Sequence, residues 1–587
     1  MSTSKVLRLH TFMAHRKRLR GLSCLAIAAM VGFVGGPQRL SRTALAQPAP
    51  PVADAANTAE NPYPYRVPAP ELTGGEWVNV AKPLSLADLR GRFVLLDFWT
   101  YCCINCMHVL PELKQLEHAF PNELVVVGVH SAKFEGEHVT DNIREAALRY
   151  EIEHPVVNDS QMAIWRRYGA RSWPTLVLID PAGEVVWAAS GERSFEDIKT
   201  VIDRGLPFYR AHGQLKPAPR PTLLGEGKEA ATALKYPGKV LADGPGDRLF
   251  IADSNHNRIV ISTLAGKLQH VVGSGAIGRE DGAFEACRFN HPQGMALVND
   301  VLYVADTENH LLRKVDLTAK KVTTIAGTGK KGGAWANVLG EDSNSAVAGA
   351  AAKPRTPLTT SLSNPWALWQ QGNDLYIAMA GTHQIWKMPL DESSIAPYAG
   401  NGRENITDGP LLPTTPYDEN FASFAQPSGL TSDGTLLFVA DSEGSTVRSV
   451  PFDPQGKVRT LVGLTNTLFD FGDVDGAGQD VRLQHPLGVA WSDGKLYVAD
   501  TYNNKIKVID VEPRTCHSVA GTGRSGDADA EKGADATFNE PAGISAAGGR
   551  LYVADTNNHA IRVVELAAPN RVTTVRIDEL APPMERK

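Results

Sequence analysis

The chain has 587 residues, 43% of them hydrophobic, 7% aromatic and 21% charged, a balance that excludes a wholly disordered polypeptide and at this length implies several domains. Lys and Arg number 59 and Asp and Glu 65, a net charge of −6, without the basic field that nucleic-acid binding requires. Six cysteines are too few for a disulfide scaffold, and Cys102, Cys103 and Cys106 crowd into five positions, which points to chemistry rather than to stapling.

The amino terminus reads as an address. Lys5, Arg8, Arg16, Lys17, Arg18 and Arg20 precede a small or apolar run from Gly21 to Gly36, which is short for a membrane span. Ala44-Leu45-Ala46 then supplies a small-x-small cleavage pattern, so residues 1–46 are expected to be a secretory signal. The chain is accordingly expected outside the cytoplasm, in the periplasm or secreted, and at a membrane only if that signal stays uncleaved. Residues 47–74 hold Pro48, Pro50, Pro51, Pro62, Pro64, Pro68 and Pro70 with no hydrophobic period, the composition of a linker.

Residues 75–210 alternate between strand and helix patterns. Phe93 to Trp99 is an apolar run typical of a strand buried on both faces. After Tyr101-Cys102-Cys103-Ile104-Asn105-Cys106, Val109, Leu110, Leu113 and Leu116 recur at helical spacing up to Phe120. Cys103 therefore falls at a helix amino terminus, where the dipole and unpaired N–H groups favour a thiolate, and Cys106 lies one turn on, within easy bridging reach. Strands follow at Leu124–His130 and Pro155–Asn158, helices at Thr140–Tyr150 and Met162–Tyr168, and a hairpin at Thr175–Ala189. Ser194, with Asp197 three residues on, starts a last helix expected to end near Arg204.

These residues carry a resemblance. Asp97-Phe98-Trp99, Cys103-x-x-Cys106, Pro111 within the helix and Trp173-Pro174-Thr175 before a strand resemble the thioredoxin superfamily, and the insertion between the second strand and the short helix resembles the secreted thioredoxins of cytochrome c maturation. The resemblance implies that Cys103 attacks, Cys106 resolves, Asp97 accepts the Cys106 proton, Pro174 is a cis proline facing the dithiol, and Trp99 packs beside it. Ile104-Asn105 replaces the Gly-Pro of reducing thioredoxins, so the direction of the reaction is left open. Cys102 reads as an inert buried thiol or an additional resolving partner. No cofactor is implied: haem attachment needs His directly after the second Cys, where Met107 stands, and zinc would need two further ligands with only His108 near.

After a linker at 211–230, residues 231–580 repeat one unit six times. Each copy pairs a proline-led strand with a second strand, as in Leu302-Tyr303-Val304-Ala305-Asp306-Thr307 and Leu551-Tyr552-Val553-Ala554-Asp555-Thr556. The pattern resembles NHL repeats, and four-strand units that cannot bury their faces alone imply a six-bladed propeller. The motif Asp and Asn residues read as turn and strand-end acceptors. The third copy has Met379 in place of Asp, so its turn is expected to differ. His256, His310 and His559 read as turn residues at one blade position, and the acidic loops Gly472–Gly476 and Gly526–Asp529, without a bidentate Glu, as solvated rather than calcium-binding.

The whole resembles the NHL-repeat-containing thioredoxin-like proteins: an α/β thioredoxin-like domain followed by an all-β six-bladed propeller, down to the Cys-Cys-Ile-Asn-Cys sequence itself. The implied function is an extracytoplasmic thiol–disulfide oxidoreductase whose propeller binds or presents a protein client, working with a redox partner protein. The alternative is a non-catalytic scaffold whose propeller binds protein or glycan, the thioredoxin-like part serving for docking.

Overall fold

The computed structural model describes residues 60–221, 231–333, 355–413 and 420–583; the expected signal segment lies outside them. The α/β part runs β1 (Val67–Pro68), β2 (Trp77–Val78), β3 (Phe93–Trp99), α1 (Ile104–Ala119), β4 (Leu124–His130), α2 (Thr140–Arg149), β5 (Val156–Asn158), α3 (Ala163–Tyr168), β6 (Thr175–Ile179), β7 (Glu184–Ser190) and α4 (Phe195–Ala211). Its strands form one sheet in the order β1-β7-β6-β3-β4-β5-β2. β3, β4 and β5 are parallel, and β6 runs antiparallel to β3.

All seven residues of β3 are buried because the strand is central and both its faces are covered. Alternate side chains go to opposite sides. Phe93 and Leu95 pack with Leu113 and Leu116 of α1 and Ile198 and Ile202 of α4, whereas Val94, Leu96 and Phe98 pack with Val127, Val157 and Ile164 on the other side. Two boundaries differ from expectation. Helix α4 continues through Pro207 to Ala211, because Tyr209 buries its ring against Phe93 (centroids 5.5 Å) and donates to Asp180 Oδ2 at 2.5 Å. Residues 60–74, expected as linker, are tied to the domain: Val67 pairs with Val185 of β7, Tyr63 and Leu72 are buried, and Tyr63 Oη donates to the Val201 carbonyl at 2.6 Å.

The repeats form six antiparallel sheets of four strands each, three of them extended by a two-residue outer strand. The inner strands begin at Lys239, Pro292, Pro365, Pro427, Gly488 and Pro541. The ring closes where Gly543 of the last inner strand lies against Gly238 and Lys239 of the first, and Thr556 Oγ1 donates to the Pro237 carbonyl at 2.9 Å.

Five blades share a buried polar device at the end of the second strand. Asp253, Asp306, Asp441, Asp500 and Asp555 are fully buried and each accepts a backbone N–H from the segment entering the blade, at 2.6–2.8 Å. The other oxygen faces a cation on the third strand: Arg258, Arg313, Arg448, Lys507 or Arg562. In four of these blades the cation also reaches an acidic residue of an outer loop, as Arg313 does to Asp281 at 2.9 Å, Arg448 to Asp408 at 2.9 Å, Lys507 to Asp473 at 2.8 Å and Arg562 to Asp529 at 2.8 Å, whereas Arg258 donates to the Ala233 and Ala581 carbonyls. Both loops weighed for calcium belong to this device, since Asp473 and Asp475 face Lys507 and Asp529 faces Arg562. In the third blade the turn after Met379 is not different: Ala380–Thr382 forms the same short turn and His383 takes the same left-handed conformation (φ 54°) as His310. Met379 is matched by Trp386 where the other blades have the cation, so an apolar pair stands in for the ionic one.

Candidate functional site

Cys103 caps α1 just past β3, at φ −83° and ψ 115°, with its carbonyl accepting the amides of Cys106 (3.0 Å) and Met107 (3.2 Å). Because α1 starts at Ile104, shortly past the end of buried β3 at Trp99, Cys103 stands at the amino-terminal end of the helix, the positive end of its dipole. Cys102, Cys103 and Cys106 are all free thiols. Cys106 is fully buried in one cluster with Cys103; burial first, then its interactions with Cys103 and the charge of Asp97, push its thiol well up. Cys102 is also fully buried, its thiol pushed well up by burial and by Glu137 and Glu443. Its amide donates to Glu137 Oε1 at 3.0 Å and its sulfur lies 3.9 Å from Thr100 Oγ1, an environment that keeps a thiol protonated.

Asp97 lies on β3 beneath the dithiol. It is fully buried, neither carboxylate oxygen has a hydrogen-bond partner among the described residues, and burial, opposed by His154, lifts its pKa to about 7. Trp99 shares an apolar cluster with Cys102, Cys103 and Cys106 and meets His130 edge-on at 5.0 Å. The Trp173-Pro174 bond is cis. Thr175 pairs with Phe98, so Pro174 stands at the end of the sheet from which Cys103 emerges. The structure thus brings Asp97, Trp99, Cys103, Cys106 and Pro174 to one end of one sheet.

Sequence reading missed what covers this end. The propeller residues that precede each blade's first strand — Tyr236, His291, Asn364, Gln426, His485 and Glu540 — all have positive φ, 45° to 63°. Each has its N–H held by a turn side chain of the preceding blade: His559, Asn257, His310, His383, Ser445 and Asn504. His310 and His559 therefore are turn acceptors at one position, whereas His256 falls one residue earlier and bonds Asp253 at 2.9 Å. With their backbones fixed, these ring residues turn side chains onto the thioredoxin-like domain. Gln426 Oε1 accepts the Ile104 amide at 2.9 Å, Asn364 Oδ1 lies 2.6 Å from His108 Nε2, Glu540 pairs with Arg149 at 2.7 Å, and Tyr236 Oη donates to Glu145 at 3.0 Å. Lys133 and Glu443 form a buried ion pair across the same contact, and Phe134 packs on Phe471 (4.7 Å) and His485 (5.4 Å). Cys103 is left 7% exposed. The only local signal for this ring was the proline that follows each of its members.

Beside the dithiol, a cavity of ≈ 280 Å³ runs between α1 and the ring, lined by Met107, Leu110 and Lys114 on one side and by His291, Gln426 and Glu540 on the other. Among the described residues no three His, Cys, Asp or Glu side chains are grouped to hold a metal ion, and no helix is long and apolar enough to cross a membrane.

Comparison with known proteins agrees with this two-part architecture. Residues 91–185 match the Thioredoxin-like family, and residues 289–315, 483–509 and 538–564 match the NHL repeat. NHL repeat-containing protein 2 of Homo sapiens is 42% identical over 523 residues, covering 85% of this chain and 70% of that protein. Protein SUPPRESSOR OF QUENCHING 1, chloroplastic, of Arabidopsis thaliana is 42% identical over 528 residues, covering 86% of this chain and 48% of that protein. Protein DipZ of Mycobacterium tuberculosis is 36% identical over 138 residues, covering 23% of this chain and 20% of that protein.

Proposed function

The chain belongs to the family of NHL repeat-containing proteins with a thioredoxin-like domain, and from that premise we propose that it is a thiol–disulfide oxidoreductase acting on protein clients. The observation that carries the reading is Cys103 at the start of α1, in one buried cluster with Cys106 a turn further on, beside a buried Asp97 whose carboxylate has no hydrogen-bond partner among the described residues. In the reducing direction the Cys103 thiolate attacks one sulfur of a client disulfide, an S–S bond forms between them, and the other client sulfur leaves as a thiolate. Asp97 takes the Cys106 proton, and Cys106 displaces the client from Cys103. The client gains two electrons and the Cys103–Cys106 disulfide forms; a partner dithiol of another protein restores it. The oxidising direction is the same sequence reversed. Export by residues 1–46 places this chemistry outside the cytoplasm, a reading supported by the basic segment followed by the apolar run Gly21–Gly36.

The test is a Cys106→Ser variant of the full chain. It is expected to accumulate a mixed disulfide through Cys103 with a client such as insulin, while the unaltered chain reduces insulin with dithiothreitol as electron source. Absence of both reactions overturns the reading. A second reading is favoured by the coverage of Cys103: the thioredoxin-like part docks and the propeller binds a protein or glycan. It predicts that a Cys103→Ser/Cys106→Ser double variant keeps full function in cells.

A further inference from the structure

Helix α1 rests on the propeller through two ring residues whose backbones are held by histidines. Asn364 Oδ1 accepts from His108 Nε2 at 2.6 Å, and Gln426 Oε1 accepts the Ile104 amide at 2.9 Å. The N–H of Asn364 donates to His310 Nδ1 at 3.2 Å, and the N–H of Gln426 donates to His383 Nδ1 at 3.1 Å. A ring nitrogen that takes a backbone N–H has to offer a lone pair, and the imidazolium form has none. Both histidines therefore serve this contact only while uncharged. A third, His559, holds Tyr236 at 3.0 Å, but Tyr236 reaches Glu145 of α2 rather than α1. Other blades fill the same place with a group that does not titrate. Asn257 and Asn504 present Oδ1 to the amides of His291 and Glu540 at 3.0 and 2.8 Å, from the same left-handed turn position (φ 51°, against 54° for His310 and His383).

The surroundings oppose a charge on either ring. His383 is 7% exposed and faces His108 of α1, Lys133 of the loop after β4 and Glu443 of the fourth blade, which Lys133 already engages. His310 faces His108 at 6.4 Å between ring centres, and His108 Nδ1 lies 2.7 Å from Glu192 Oε1 and 3.3 Å from Lys331 Nζ. Burial is the first cause that holds both down to about 4 from an ordinary 6.5; His108 adds to it for both, and Lys133 for His383, against Glu443. Separation from α1 returns them toward 6.5. The docked state thus binds fewer protons between those values, and docking is complete above pH 6.5 and weakens as pH falls toward 4.

We propose that the seat of α1 on the propeller is an acid-labile latch, in which His310 and His383, as uncharged acceptors, fix Asn364 and Gln426 under the helix and release them when protonated. No thiol chemistry is involved, so the latch and the redox reading stand or fall separately.

The experiment is hydrogen exchange of the full chain at pH 7.5 and 5.0, read by mass spectrometry as the protection of the Ile104 amide, each rate divided by the chemical rate at that pH. The unaltered protein is expected to lose about tenfold or more of this protection at pH 5.0, while the amides of β3 keep theirs. His310→Asn/His383→Asn, which installs the amide acceptor of the other blades, is expected to keep the protection at pH 7.5 and to change by less than about threefold at pH 5.0. Two results overturn the proposal. One is Ile104 protection in the unaltered protein that does not fall with pH. The other is a fall of the same size in the double variant, which would assign the acid sensitivity to His108 or to carboxylates. Should the double variant fail to fold at pH 7.5, His383→Asn alone decides: its drop is expected to be about threefold smaller than that of the unaltered protein, and an equal drop refutes the latch.

Discussion

Met379 and Trp386 lie buried in one apolar cluster of the third blade, at the two positions that Asp306 and Arg313 fill in the second. The exchange is complete, with acid and base both replaced, so neither charge is stranded. A buried ion pair is costly to desolvate, and an apolar pair of similar volume is an equivalent solution, whereas half a pair is not. Met379→Asp alone is therefore expected to destabilise the protein by about 3–5 kcal/mol. Adding Trp386→Arg should recover part of that loss, a coupling above about 1 kcal/mol in the double-mutant cycle by thermal unfolding. A single variant that melts with the unaltered protein refutes the pairing.

That pair also shows where sequence was informative. Asp at the end of a strand motif announced its blade, and the period of the motif fixed the number of blades, because each copy repeats the same strand alternation. Met379 broke the motif and suggested a different turn, since the compensating Trp386 is recognisable only once the two strands are seen side by side. The dithiol was legible for a local reason: Cys103, Cys106 and Asp97 lie on one strand–helix junction. Gln426, Glu443 and Glu540 were not, because their contacts with Ile104, Lys133 and Arg149 span more than 300 positions of chain and depend on how the domains dock. The strand at Val67–Pro68 was obscured by prolines, which an edge strand tolerates.

Asp97 makes stability depend on pH. Its folded-state pKa of about 7 stands above the ordinary 3.8 of the unfolded chain, so the native state holds the proton more tightly between those values. The stability that this proton contributes is present in full below pH 3.8 and is lost as pH rises through 7. Asp97→Asn, neutral at all pH, is expected to flatten this part of the profile and to raise the melting temperature above pH 7. The same variant should slow release of a mixed disulfide, because Cys106 then lacks a nearby proton acceptor. Unchanged pH dependence of unfolding would show that the carboxylate is solvated in solution.

Cys102 is separated from the chemistry by its surroundings. Burial and the Glu137 and Glu443 carboxylates oppose its ionisation, and its sulfur lies 3.9 Å from the Thr100 hydroxyl. Cys102→Ala should leave insulin reduction within about twofold of the unaltered protein, whereas Cys103→Ser should abolish it. Loss of activity in Cys102→Ala with normal folding would make Cys102 a second resolving thiol.

Docking of the two parts is tied to Lys133. Its ammonium is buried, bonded to the Glu443 carboxylate and to the Glu443 carbonyl at 3.1 Å, and lies 5.0 Å from the Phe134 ring centre. Lys133→Met removes the cation and strands a buried carboxylate, at a cost of about 3–5 kcal/mol, which falls on the interface rather than on either core. The Ile104 amide, protected only by Gln426 across that interface, then becomes the reporter. Its hydrogen exchange is expected to accelerate on the order of a hundredfold, while amides of β3 keep their protection. Lys133→Met combined with Glu443→Leu removes both charges and should restore slow exchange. If Ile104 exchanges at one rate in all three proteins, the ion pair does not hold the domains together, and the ring contacts of Asn364, Gln426 and Glu540 suffice without it.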